Sequence, residues 1–177
     1  PEAQGQIAMP SPLTSGAATI HMIALTGHED LGWAYYEGLA EQGTNPQGGN
    51  GGVYRAVAGG EQMYGMVVDF LPIREIPNGA PVGFVFPTEG VSAVTEPVAI
   101  LSNAKNIPAA QAFVDFLISE AGQQLAADMG YLPALESVTP PAGFPARDQI
   151  QLLDFDPASA LENADADRLH FTEIFGG

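Results

Sequence analysis

The sequence predicts an α/β fold built on a parallel or mixed sheet. Short apolar runs alternate with helix-period segments over the first half of the chain. The 21 glycines and 15 prolines punctuate those segments at close intervals. Hydrophobic residues make up 46% of the 177 residues. A chain of this length buries roughly 70% of the surface it exposes when unfolded, enough for one domain or two small lobes.

The elements follow in order. Gln6–Met9 is a short apolar run closed by Pro10 and Pro12, and it reads as a strand. Thr14-Ser15-Gly16 opens a helix that runs to Thr26, with Gly27 as its stop. Asp30 to Gln42 reads as a second helix, with Trp33, Tyr36 and Ala40 on one face. A glycine-rich loop, Gln47 to Gly52, leads into a short helix over Val53 to Ala58. Tyr64 to Val68 reads as a buried strand, and Val82 to Phe86 as another. Between them, Pro72 to Glu75 is at most a helical turn. Pro87 to Glu96 is a polar connector, and Pro97 to Leu101 is one more strand. Asn106 caps a helix with Pro108 in its first turn and a buried stripe of Ala110, Phe113, Val114 and Leu117. Ser119 starts a helix that ends at Gly130. After an irregular stretch rich in proline, Asp156-Pro157 starts a last helix ending near Gly176.

The natural break is near Pro87. Residues 5–87 alternate strands and helices as one complete lobe, while residues 88–177 hold a single strand, paired helices and a wrapping tail. One strand cannot make a sheet, because its row of backbone donors and acceptors needs neighbours. The second part therefore reads as a piece of a lobe whose other strands lie outside these residues.

Charge excludes several functions. With 21 acidic and 5 basic side chains, the net charge is −16. No basic patch is present to displace counterions from phosphates, so nucleic acid is excluded as a partner. The same charge disfavours an anionic membrane surface. A surplus of acid with little lysine suits a protein kept soluble in a salty medium. No apolar run reaches the roughly 18 residues of a membrane span. The absence of cysteine removes disulfides, thiolate catalysis and cysteine-ligated zinc. The first residues, Pro1 to Gly5, carry no signal-peptide pattern, as expected of a mature or truncated chain.

Three local features carry chemistry. Thr14-Ser15-Gly16-Ala17 sits at a strand-to-helix turn, where small residues leave the first-turn amides open to an anion. The same residues also read as a plain serine cap. Gly48-Gly49-Asn50-Gly51-Gly52 precedes a helix, and Asn50 can offer its amide to an oxyanion or serve as a turn cap. No Lys-Ser/Thr follows those glycines, so it is not a nucleotide phosphate loop. Asp69 stands at the carboxyl end of the strand Tyr64–Val68, placed to meet a cationic ligand group or to cap the turn at Pro72. Arg55 and Arg74 read as salt-bridge partners or anion clamps. Catalysis has thin support. Ser15 and His21 lie nearly two helical turns apart, and no ligand set for a metal stands at helical spacing. The expectation is no enzyme and no cofactor.

Gln6-Ile7-Ala8-Met9-Pro10 with Thr14-Ser15-Gly16, then Ala56-Val57-Ala58-Gly59-Gly60-Glu61, resembles the ferric-ion-binding branch of periplasmic solute-binding proteins. So do Glu96-Pro97-Val98-Ala99-Ile100, the run Ala109 to Leu117, and Gly130-Tyr131-Leu132-Pro133. The resemblance covers the chain from Gly5 to about Pro133 and matches the second half of such proteins. It implies a type II periplasmic-binding-protein-like α/β fold, with one complete lobe plus the C-terminal part of the other. It also implies a periplasmic protein whose signal peptide lies outside this chain and whose N-terminal lobe is missing. Such a protein delivers its ligand to a membrane permease of an ABC importer.

The resemblance also suggests site residues. In ferric members an anion rests on the backbone at the Ser-Gly-Ala helix start, here Ser15, Gly16 and Ala17, beside Thr14. Asn50 matches a loop asparagine that assists. The iron of those members needs a consecutive tyrosine pair, and this chain has Phe70 and Leu71 there, without side-chain oxygen. An anion site kept without an iron site resembles relatives that bind 2-aminoethylphosphonate, with Asp69 for the ligand's ammonium. Ferric iron held by other tyrosines, such as Tyr54 or Tyr64, is the alternative. A phosphate-ester enzyme using Ser15, or a receptor's sensor domain, is more distant.

Overall fold

The computed structural model describes residues 3–176. Its elements, in chain order, are β1 (Ile7–Ala8), α1 (Gly16–Thr26), α2 (Gly32–Glu41), α3 (Asn50–Ala58), β2 (Tyr64–Gly65), α4 (Phe70–Glu75), α5 (Ile107–Leu117), α6 (Glu120–Asp128) and α7 (Pro157–Phe175). The chain forms two compact units. The first comprises Pro1–Val68, Pro81–Val94 and Ala146–Gly177; the second comprises Asp69–Ala80 and Thr95–Pro145. The units therefore do not part at Pro87. No helix of the described residues is long and apolar enough to cross a membrane.

In the first unit, β1 and β2 run parallel, with Ile7 opposite Tyr64 and Ala8 opposite Gly65. Gly65 is required here: a Cβ at this position would come within 2.8 Å of Val53 and 2.9 Å of Val57, so α3 can lie close on the strand only if that side chain is absent. The core gathers Met9, Met22, Ala24, Leu25, Tyr36, Leu39, Leu153 and Phe171. Tyr36 and Leu39 are the buried positions of α2, and Trp33 packs against them half-buried. The tail closes this core from the far end of the sequence. Phe171 of α7 meets Tyr36 edge to face at 5.8 Å, and His170 meets Trp33 at 4.5 Å. Burying a large side chain of this kind stabilises a fold by about 1.5–3 kcal/mol.

Several expected strands are not formed. The strand predicted over Tyr64 to Val68 is two residues long and exposed on both. Val82 to Phe86 and Pro97 to Leu101 have no ladder partner among the described residues, and a strand exists only where a neighbour accepts its backbone. The remaining pairing is a parallel bridge between Val91 and Leu152, with the Val91 amide donating to Gln151 and the Leu153 amide donating to Val91. It ties the segment after Pro87 to the tail.

The second unit is helical. Asn106 accepts the Ala109 amide at 3.1 Å and starts α5 with Pro108 in its first turn; Ser119 accepts the Gly122 amide at 3.2 Å and starts α6. Phe70 stacks on Tyr131 at 4.3 Å. Pro72, Ile73, Ala127 and Val138 are buried. The stripe predicted to be buried on α5 is not: no residue of α5 is buried, and Phe113 is 59% exposed. The other three residues of the stripe, Ala110, Val114 and Leu117, are half-buried, so the face is covered only in part.

Candidate functional site

The site begins at the turn from β1 to α1. Ser15 is extended (φ −122°, ψ 115°) and accepts the Ala18 amide at 3.3 Å, which starts α1. Thr14 is tied back: its hydroxyl donates to the Gly48 carbonyl at 3.0 Å. Ser11 donates its amide to the same carbonyl at 3.2 Å. These bonds join the turn before α1 to the turn before α3. Gly48 has a left-handed backbone (φ +57°), the conformation that lets the chain double back there.

Asn50 is the first residue of α3 rather than part of a preceding loop, and Gly49 is its cap. The helix thus starts three residues earlier than Val53. The Asn50 side chain is oriented at both ends. Its carbonyl accepts the Val68 amide at 3.0 Å, which turns its nitrogen to donate to Ser15 Oγ at 3.3 Å. Ser15 Oγ thereby accepts two hydrogen bonds, and its own proton is what it has left to offer. Among the described residues, nothing accepts from the amides of Gly16, Ala17, Asn50 or Gly51. Two helix starts, each with open first-turn amides, are joined by one side-chain contact, and four amides with the Ser15 hydroxyl proton are left as donors. Chemically this arrangement suits an oxyanion.

Of the residues singled out by sequence, Thr14, Ser15, Gly16, Ala17 and Asn50 lie together in the first unit. Asp69 belongs to the second unit. Its carboxylate accepts the Phe70 amide at 2.7 Å as the cap of α4, and burial pushes its pKa above the ordinary aspartate value. Among the described residues it forms no ion pair. Arg74 instead pairs with Glu75 at 2.7 Å on the exposed surface, a contact worth about 0–1 kcal/mol. His21 does not serve Ser15. Its Nδ1 lies 3.0 Å from Ser92 Oγ, and burial holds its pKa below the ordinary histidine value. Phe70, at one of the two positions where the resemblance implies a metal-binding tyrosine, stacks on Tyr131 instead. Among the described residues, no three His, Asp or Glu side chains come together as metal ligands.

Sequence reasoning missed Arg168. Its guanidinium, on α7, donates to the Leu13 carbonyl at 3.2 Å, two residues before Ser15. It is one of only five basic side chains in the chain, but no spacing links positions 13 and 168.

Three comparisons bear on this geometry. A structure of the periplasmic binding protein AfuA from Actinobacillus pleuropneumoniae, with exogenous fructose-6-phosphate bound, superposes with a TM-score of 0.81 at 24% identity. That match covers 99% of this chain and 57% of AfuA, and it shows a shared fold. An uncharacterised protein of Haemophilus influenzae is 37% identical over 94 residues, 50% of this chain and 27% of its own length. The chain thus spans little more than half of the one protein, and its match only about a quarter of the other. Residues 2–132 match the family described as bacterial extracellular solute-binding protein. With most of its length inside that match, the chain belongs to the bacterial extracellular solute-binding proteins.

Proposed function

We propose that this chain is part of the substrate-binding component of an ABC importer, working in the periplasm and passing its ligand to a membrane permease without chemical change. Its cargo is a small phosphorus-containing anion. Ser15, Gly16, Ala17 and Asn50 hold the oxyanion, and Thr14 fixes the turn that carries them. The observation that carries the reading is the Asn50–Ser15 hydrogen bond, which joins two helix starts with free amides into one donor cluster. The sugar phosphate bound to AfuA supports the same ligand class.

Within that class the reading is 2-aminoethylphosphonate. A carboxylate without a cationic partner, desolvated enough to raise its pKa, favours a ligand ammonium, and Asp69 is that carboxylate. In this reading the ligand lies in a cleft between the two lobes of the full-length binding protein, one of which carries the Ser15–Asn50 cluster. A sugar phosphate is the second reading, because it presents the same phosphoryl end without an ammonium. Ferric iron is disfavoured by Phe70 and Leu71, which offer no oxygen ligand.

Calorimetry on the full-length protein tests the proposal with 2-aminoethylphosphonate, ethylphosphonate and fructose-6-phosphate. Tightest binding of the aminophosphonate supports it. Preference for fructose-6-phosphate replaces the ligand and keeps the anion site. Absence of binding to all three, with a visible charge-transfer band on iron loading, overturns it in favour of the metal.

A further inference from the structure

Arg55 is a cation that the proposed site has not yet used. It stands in the last turn of α3, where a basic side chain ordinarily meets the free carbonyls of the helix end. Its guanidinium lies toward the other end instead. A Cβ placed on Gly51 would be 3.5 Å from Arg55 Nη1, so the guanidinium rests against the first turn of α3. The amides of Asn50 and Gly51 are open in that same turn, and Gly51 has no side chain to screen them. The reach itself is ordinary, because helical side chains lean toward the N-terminus and positions four apart share a face. The electrostatics are not, because the start of a helix is itself positive. No carboxylate offsets that repulsion. Among the described residues Arg55 forms no ion pair, although the chain has 21 acidic side chains. Arg74, by contrast, is paired with Glu75, and Arg168 donates to the Leu13 carbonyl.

We propose that Arg55 is the charge-selecting residue of the anion site: its guanidinium clamps an oxyanion that rests on the first amides of α3, and it sets the ligand class as a doubly charged tetrahedral group, a phosphate or phosphonate dianion. The inference rests on the proposed anion site at Ser15 and Asn50 and adds the charge that this site otherwise lacks. Four amides and a hydroxyl carry only partial charges, and they serve a singly charged oxyanion as well as a doubly charged one. A full positive charge attracts a dianion about twice as strongly as a monoanion at the same distance. The guanidinium also presents paired N–H groups that match two oxygens of one tetrahedral group. With a net charge of −16, the protein as a whole repels such a ligand, and a cation at the site offsets that repulsion where it matters. The bound dianion in turn supplies the negative partner that Arg55 lacks.

Calorimetry on the full-length protein at neutral pH, with sulfate as the dianion and methanesulfonate as a monoanion of similar shape, is the test. The unaltered protein should bind sulfate more tightly. Arg55→Gln should lower sulfate affinity on the order of tenfold to a hundredfold and methanesulfonate affinity much less, so that the preference collapses. Arg55→Lys keeps the charge without the fork, and it should keep the preference at reduced affinity. Arg74→Gln, which removes a cation on the exposed surface, should change neither. The melting temperature of the anion-free protein separates contact from folding: Arg55→Gln should melt no lower than the unaltered protein, because it relieves a repulsion. Lost affinity together with a lower anion-free melting temperature assigns Arg55 to the fold and overturns the proposal. So does an equal loss for both anions, or a sulfate affinity that Arg55→Gln leaves unchanged while Asn50→Asp weakens it; in that last case the anion site stands without Arg55. If the unaltered protein binds neither sulfate nor phosphate, the anion site itself fails and the clamp fails with it.

Discussion

Asn50 donates to Ser15 Oγ at 3.3 Å while its own carbonyl is held by the Val68 amide at 3.0 Å. The second bond fixes the first, because the amide cannot flip without placing two donors together. Asn50→Asp keeps the acceptor for Val68 and replaces the nitrogen by a second oxygen. That oxygen repels an oxyanion. Phosphate or phosphonate affinity of the full-length protein should fall by roughly 1.5–3 kcal/mol, the scale of a hydrogen bond to a charged group. Ser15→Ala should weaken binding as well and also cost about 1 kcal/mol of stability through the lost cap. Unchanged calorimetric affinity in Asn50→Asp would remove this residue from the site.

Because Ser15 Oγ already accepts from Ala18 and Asn50, it offers its own proton, beside the open amides of Gly16, Ala17, Asn50 and Gly51. A cluster so rich in donors favours the fully ionised phosphate. A phosphate monoester loses its second proton near pH 6, so its affinity should drop toward tenfold per unit as pH falls below about 6. Sulfate has no proton to lose in this range and should bind evenly. Titrations of both ions from pH 5 to 8 check this, and a flat phosphate profile would mean that an acceptor faces the ligand.

Asp69 sets the charge type of the ligand in the proposed reading. It caps α4 through the Phe70 amide at 2.7 Å, a bond that Asn can also accept. Asp69→Asn should therefore keep the helix and narrow the gap between 2-aminoethylphosphonate and ethylphosphonate by roughly 1.5–3 kcal/mol. Equal binding of the two ligands to the unaltered protein would discard the ammonium contact.

Helices were legible from the sequence where their caps are local. Ser15, Asn106 with Pro108, Ser119 and Asp156 with Pro157 each mark a start that the structure keeps. The start of α3 was not legible, because Gly51 and Gly52 are poor helix formers. The helix they open lies close on Gly65 through Val53 and Val57, a proximity between distant positions that leaves no local signal. The runs over Val82–Phe86 and Pro97–Leu101 have strand composition, but composition does not supply a neighbour. The cluster of Ser15 and Asn50 followed from two glycine-rich helix starts. The clamp from Arg168 to Leu13 spans 155 positions and leaves no local trace. The return of the tail to the first unit is likewise carried by Tyr36, Trp33, His170 and Phe171, aromatic residues whose partners only the fold selects.

His21 makes the stability of the first unit depend on pH. Its Nδ1 lies 3.0 Å from Ser92 Oγ, in a place where burial disfavours the imidazolium and holds the folded-state pKa below the unfolded value of 6.5. The unfolded chain therefore binds the proton more readily than the folded one. The stability that this neutral histidine contributes is fully present above pH 6.5 and is lost as pH falls from there through the folded-state pKa. Asp69 acts the other way. Its pKa is raised above 3.8, so its ionisation begins to oppose folding only above that value. Below about pH 6.5 the histidine should make stability fall as the solution becomes more acidic. Denaturant unfolding at steps across this window should show the midpoint falling with pH. His21→Gln, which cannot be protonated and retains a hydrogen-bonding amide for Ser92, should flatten that slope even if its absolute stability is lower. A slope unchanged by the substitution would mean that the proton is taken up elsewhere, and that the His21–Ser92 contact survives protonation.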